Sequence, residues 1–319
     1  MRVSGRSGRV RHYPAVRLAA VVLLVATLLP AARASAAGHH HPPRPEVVAR
    51  YGETWALRVR HELGDGFLLL PPACRVVACP LVIVSHRRGG RAADALSPRE
   101  HGTYHAFLLS IAAAGFPLLL SEDGGPNTWG NATALDNAAG LWREASGMFQ
   151  HDGLTFSLGV SMGGLTATLL HLSGRVTLRG TVLIDARLNL AEALAAPDTT
   201  RAREIIAAYG LATPDQFALA LAGHDPLDAR VAFPQPPAPT LAFASPDDET
   251  VPMESNSGAF IRLARQHDAR SSLHRTSGPH LGGSHFSSLV ATAAVAFFRR
   301  LASPDWLAGG PARPPSGTR

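Results

Sequence analysis

The residues most able to do chemistry lie in Leu154-Thr-Phe-Ser-Leu-Gly159-Val-Ser161-Met162-Gly163-Gly164, an apolar run entering G-x-S-x-G and then a helix-forming stretch. A strand followed by a sharp turn and a helix holds such a serine in a strained backbone conformation, with its hydroxyl projecting beyond the sheet. Gly159 and Gly163 lack the side chains that would clash across the turn. The helix aims its first amides at the place where negative charge develops during attack on a carbonyl, and Met162 N is the natural first donor of an oxyanion hole. The spacing alone is a weak signal in a chain with 30 Gly. The strand, turn and helix around it make it specific.

The elements that must position this serine follow from hydrophobic patterning. Short apolar runs alternate with longer amphipathic stretches, as in βα units around a mostly parallel sheet. Strands are expected over 55–60, 67–70, 81–85, 116–121, 154–160, 180–184, 240–244 and 271–274. Helices are expected over 100–113, 132–148, 162–173, 255–267 and 286–301. Leu81-Val-Ile-Val84 is apolar at every position, as a strand covered on both faces must be. The stretch 188–231 breaks the rhythm with short helical pieces separated by Pro197, Pro214 and Pro226. It is expected to be a small lid-like insertion over the strand ends.

At this point the chain resembles the α/β-hydrolase family over residues 55–302. The resemblance implies a mostly parallel central sheet with helices on both faces, and the chain order serine, acid, histidine. Pro239-Thr-Leu-Ala-Phe-Ala-Ser-Pro-Asp247-Asp248-Glu-Thr-Val251-Pro252 looks like the family's late strand and acid loop, where D-x-x-V-P selects Asp248. Asp247 and Glu249 stand as rivals. Gly283-Ser284-His285-Phe286 looks like the loop carrying the base, with His280 as the competing histidine. The resemblance implies that His285 deprotonates Ser161 while Asp248 fixes the imidazole tautomer.

His86-Arg87-Arg88-Gly89 follows the strand at 81–85, where the family carries a His-Gly motif. Arg87 stands in place of that Gly, so Arg88, or Arg87 itself, is expected to supply the second oxyanion amide. The two guanidinium groups are expected either in a solvated turn or against an anionic part of a substrate. Trp129, in the Gly-Gly-Pro-Asn-Thr-Trp-Gly-Asn run after another strand, is expected to wall a substrate pocket or to pack on the core. The run resembles one in actinobacterial hydrolases, and that resemblance implies no particular substrate.

Composition bounds the rest. The chain has 319 residues, 46% hydrophobic and 17% charged, enough for one sizeable core. The net charge of +6 comes from its first 36 residues, which hold six Arg and no acid. The remainder is neutral and offers no overall basic field for nucleic acid. All 30 basic residues are Arg, which excludes lysine chemistry. Residues 1–36 read as a cleaved secretory signal peptide: Arg-rich start, apolar run from Leu18 to Ala32, then Ala34-Ser-Ala36. No stable membrane anchor is expected after cleavage, and the location is expected to be secreted or in the cell envelope.

Residues 37–50, with His39-His40-His41, read as a disordered linker, 51–302 as the catalytic domain and 303–319 as a flexible tail. Cys74 and Cys79, the only cysteines, are expected to form a disulfide. No clustered metal ligands and no dinucleotide fingerprint occur, so neither metal nor cofactor is expected. The leading expectation is an esterase or lipase-like serine hydrolase acting on a small-molecule or lipid ester. A serine peptidase of prolyl-oligopeptidase type and a non-catalytic exported binding protein of the same fold are the alternatives.

Overall fold

Nine strands pair into a single sheet in the computed structural model, which describes residues 45–196, 198–212, 216, 221–228 and 230–303. The signal segment, the His triplet and the tail beyond Ser303 lie outside the described residues. The strands are β1 (Val47–Tyr51), β2 (Thr54–Val59), β3 (Gly66–Leu70), β4 (Cys79–Ser85), β5 (Leu118–Leu120), β6 (His151–Val160), β7 (Gly180–Ile184), β8 (Thr240–Ala244) and β9 (Ser272–Arg275). Their order across the sheet is β1-β2-β3-β5-β4-β6-β7-β8-β9. Pairing is antiparallel from β1 to β5 through β2 and β3, and parallel from β5 onward.

β1 corrects the boundary read from the sequence, since residues 47–50 are strand and not linker. Arg50 pairs with Trp55 and Tyr51 with Thr54, across a two-residue turn in which Gly52 adopts φ +57°. The single Gly at the bend supplies the left-handed conformation that a tight hairpin needs. Tyr51 then pins the hairpin to the body of the protein, its hydroxyl donating to Leu96 O at 2.5 Å.

The helices are α1 (Gly102–Ala113), α2 (Ala132–Ser146), α3 (Gly163–Leu172), α4 (Leu190–Ala195), α5 (Thr199–Ala208), α6 (Ala259–His267) and α7 (Ser288–Ala302). Two apolar cores form, one on each face of the sheet. Leu81 and Ile83 of β4 pack with Leu135 of α2, Leu165 of α3 and Phe260 of α6. Val82 and Val84 pack with Phe107 of α1 and Phe297 of α7. The alternation along β4 is the period of two that sends successive side chains to opposite faces. It explains why that run is apolar throughout.

Asn131 starts α2 by accepting from Ala134 N, and Ser287 starts α7 by accepting from Val290 N. Cys74 and Cys79 are joined by a disulfide. No described helix is long and apolar enough to cross a membrane.

Candidate active site

The loops that leave the carboxyl ends of β4, β6, β7, β8 and β9 meet in one place, as the parallel register requires. β6 ends at Val160, and Ser161 follows at φ +51° before α3 begins. That strain persists because the turn is over-determined. Ser161 N donates to Ile184 O at 3.0 Å, and Ser161 O accepts from Gly164 N at 2.9 Å and Arg187 N at 2.8 Å.

A Cβ on Gly163 would lie 2.3 Å from Ser85 O and 2.6 Å from His86 O, so only Gly lets α3 approach the β4 loop this closely. Gly163→Ala is expected to cost about 3 kcal/mol or more, by analogy with overpacking elsewhere. A thermal unfolding curve matching wild type would refute this.

The Oγ of Ser161 lies 2.8 Å from Nε2 of His280, and Nδ1 of His280 lies 2.6 Å from Oδ2 of Asp248. The other oxygen of Asp248 accepts from Thr250 N and Val251 N, both at 2.9 Å. Burial alone would raise the pKa of this carboxyl. The bond from His280 and the two amides outweigh that and hold it below the ordinary aspartate value. Asp247 instead accepts from Gly278 N at 3.2 Å and is exposed. Of the three acids weighed from the sequence, Asp248 is therefore the one brought to the histidine. Serine, imidazole and carboxylate form a continuous chain of hydrogen bonds that can move a proton off the hydroxyl.

His285 is not part of that chain, and here the sequence expectation is corrected. The ring of His285 is fully buried, with Nε2 2.8 Å from Oδ2 of Asp185 and Nδ1 against Gly282 O. The backbone turns sharply at Leu281 (φ +56°), so His280 faces the serine while His285 is carried into the interior. Both Gly278-Pro-His280 and Gly283-Ser-His285 fit a glycine-rich histidine loop. The local pattern held nothing to choose between them.

Asp185, immediately after β7, was missed altogether. It is buried at φ +42°, and its Oδ2 also accepts from Leu281 N at 2.9 Å. It thus ties the residue after His280 to the sheet. A short polar residue directly at the end of a central parallel strand was the available signal.

Nδ1 of His285 faces the Gly282 carbonyl, while Nε2 lies at ion-pair distance from Asp185 without an aligned hydrogen bond. Burial lowers its pKa, but Asp185 and Gly282 O more than reverse this, and the net shift is upward from 6.5. A folded-state pKa above the unfolded one stabilises the fold fully below about pH 6.5, and that contribution is lost as pH rises through the folded value. His285→Gln is expected to lower stability by about 3 kcal/mol, since it removes the cation beside a buried carboxylate and leaves that charge with backbone amides alone. The gap from wild type should narrow in alkaline buffer, which unfolding curves between pH 5 and pH 10 would measure. A pH-independent gap would contradict the charged pair.

A cavity of about 220 Å³ opens beside Ser161. Met162, Arg87, Arg88 and Trp129 line it with Ser161 and His280. Trp129 is 2% exposed, packs in the core and also lines this cavity. Gly89 N and Gly90 N are committed to Pro126 O and Arg87 O. The Arg88 side chain does not sit in a solvated turn: it bonds Glu204 at 2.6 and 3.0 Å and Asp198 at 3.2 Å, both in the segment between β7 and β8. Arg87 lies 3.7 Å from Asp94. The β7–β8 connection is further held by Asn131 Nδ2 donating to Ala208 O and by Tyr209 OH donating to Trp129 O.

Among the described residues, Asp185, Asp248 and His280 bring three metal-type ligand atoms together. His280 and Asp248 are spent on each other, and Asp185 on His285 and Leu281 N. The cluster therefore serves as a hydrogen-bond network.

No family model matches the sequence, and neither does any curated protein. Solved structures do share the architecture, which is the α/β-hydrolase fold. Est1E from Butyrivibrio proteoclasticus aligns with a TM-score of 0.55 and 17% identity over 77% of this chain and 98% of its own. An esterase of Pyrococcus furiosus aligns at 0.53 with 18% identity, covering 81% of this chain and 97% of its own. An acylaminoacyl peptidase of Pyrococcus horikoshii aligns at 0.57 with 15% identity over 78% of this chain, but over only 41% of its own.

Proposed function

We propose that this protein is a serine hydrolase that cleaves short carboxylic esters through an acyl-enzyme on Ser161. The observation that carries the reading is the unbroken run from the Ser161 hydroxyl through His280 to Asp248, at 2.8 and 2.6 Å. His280 takes the hydroxyl proton as Oγ bonds to the ester carbon, and the carbonyl oxygen becomes an oxyanion facing the amides of Met162 and of Arg88 or Arg87. Collapse expels the alcohol, which receives the proton from His280. A water deprotonated by the same imidazole then releases the acid and restores Ser161. Asp248 keeps Nδ1 protonated throughout and stabilises the imidazolium.

The cavity favours small acyl groups, because about 220 Å³ falls below the roughly 300–1,000 Å³ of sites that enclose drug-sized ligands. The fold shared with Est1E and the Pyrococcus furiosus esterase supports ester chemistry. The likeness to an acylaminoacyl peptidase favours a second reading as a peptidase, which acyl-peptide substrates would separate from the first. Secretion after removal of residues 1–36 belongs to the same proposal and is supported by the disulfide.

A fluorophosphonate probe tests the proposal. The folded wild-type protein should be modified at Ser161 at neutral pH, and Ser161→Ala should not. Acetyl and butyryl p-nitrophenyl esters should be turned over faster than octanoyl or longer ones. A folded wild-type protein that stays unlabelled would refute serine catalysis.

A further inference from the structure

Ester hydrolysis does not require the charge that surrounds this serine. The cavity beside Ser161 is lined by four arginines, Arg87, Arg88, Arg187 and Arg201, and by no carboxylate residue among the described residues. Two of the four are accounted for by acids standing behind the wall: Glu204 and Asp198 hold Arg88, and Asp94 faces Arg87.

Arg187 and Arg201 are also paired, with Glu192 at 3.5 Å and Asp198 at 3.6 Å, but both are buried or nearly so and their hydrogen-bonding capacity is less completely met. Arg187 is 3% exposed, and one of its terminal nitrogens donates to Thr250 O. The other is buried with no hydrogen-bond acceptor and has only Glu192 at 3.5 Å. Among the described residues Arg201 meets a single acid, Asp198, at 3.6 Å. That carboxylate is already shared by Arg88 and by the amides of Thr200 and Arg201 that it caps. Burial, and after it the proximity of Arg201, pushes the Arg187 guanidinium down to about 10, against the opposing pull of Glu192 and Asp248. Arg187 N also donates to Ser161 O at 2.8 Å, which fixes its position relative to the nucleophile.

Crowded, partly desolvated guanidinium groups with too few acceptors are costly unless an anion completes them. We infer that Arg187 and Arg201 form a receptor for a carboxylate carried by the substrate, so that the preferred substrates are esters with a carboxylate close to the scissile bond, such as hemiesters of short dicarboxylic acids. The planar fork of arginine matches a carboxylate in two parallel bonds. The word ester rests on the serine-hydrolase reading, whereas the carboxylate receptor rests on this wall alone.

Binding and turnover test the two separately. In Ser161→Ala protein, calorimetry should show succinamate binding about ten- to a hundredfold tighter than butyramide, the yield expected of one charge-assisted hydrogen-bonded pair. Added salt should shrink that preference. Adding Arg201→Gln should bring the two ligands within about threefold, while Arg201→Lys, which keeps the charge, should retain most of the difference. Equal affinities in the Ser161→Ala protein, or a preference that survives Arg201→Gln in a protein shown to be folded, would overturn the receptor. Tighter binding of 3-phosphonopropionamide than of succinamate would overturn the carboxylate assignment.

In the wild type, monoethyl succinate should exceed ethyl butyrate in kcat/KM by a similar factor. Hydrolysis of both at equal kcat/KM would remove the receptor and leave the hydrolase standing. Hydrolysis of neither, with succinamate still preferred, would do the reverse.

Discussion

His280→Ala should lower kcat/KM for p-nitrophenyl butyrate by on the order of 10⁴- to 10⁶-fold, the loss seen when the general base of a serine triad is removed. The ring lies 2.8 Å from the Ser161 oxygen and is partly exposed at the cavity wall, so its truncation removes the proton acceptor without emptying the core. The unfolding midpoint of His280→Ala should stay close to that of wild type. His285→Ala should show the opposite profile, with a falling midpoint and residual turnover in whatever fraction remains folded. Both profiles come from one pair of measurements, steady-state kinetics and thermal unfolding on each variant. If His285→Ala removed turnover while keeping the midpoint, the assignment of the two rings would be reversed.

Asp248→Asn is the second large effect, at about 10⁴-fold in kcat with little change in KM. The amide can still accept from Thr250 N and Val251 N, which bond to the oxygen facing away from the imidazole. Its NH₂ would meet Nδ1 of His280 as a donor, forcing the proton onto Nε2, where it can no longer accept from Ser161. Asp247→Asn serves as the control. That residue holds only Gly278 N from the surface side, and its replacement should change kcat by less than about threefold, as expected for an exposed polar position. Comparable losses in the two variants would mean that the acid is shared and that Asp248 has no special place.

The nucleophile turn, the alternation along β4 and the acid loop were legible from residue types, because each depends on short-range constraints. Gly159 and Gly163 are demanded by a turn that no other residue fits, and Val251-Pro252 fixes the register of the acid loop. The choice between His280 and His285 was not legible. It is made by the turn at Leu281 and by Asp185, which lies 96 residues away in sequence and reaches the loop only through the sheet.

The first strand was hidden for a related reason. Val47–Tyr51 is short, sits on the sheet edge and follows a Pro- and His-rich stretch, so its composition blended with the linker before it. Arg187 and Arg201 were unremarkable in a chain whose basic residues are all arginine. Their meaning comes from meeting at one wall, and spacing in sequence carries no information about that.

The side chain of Arg88 reaches across to Glu204 and Asp198, and the same residue lines the cavity beside Ser161. One residue therefore ties the loop after β4 to the segment between β7 and β8. Any exchange of α5 that sought a new substrate range would also discard the two acids that brace this strut. Selectivity and turnover should then drift together during evolution or engineering, unless a replacement helix restores an acidic pair at the same two places.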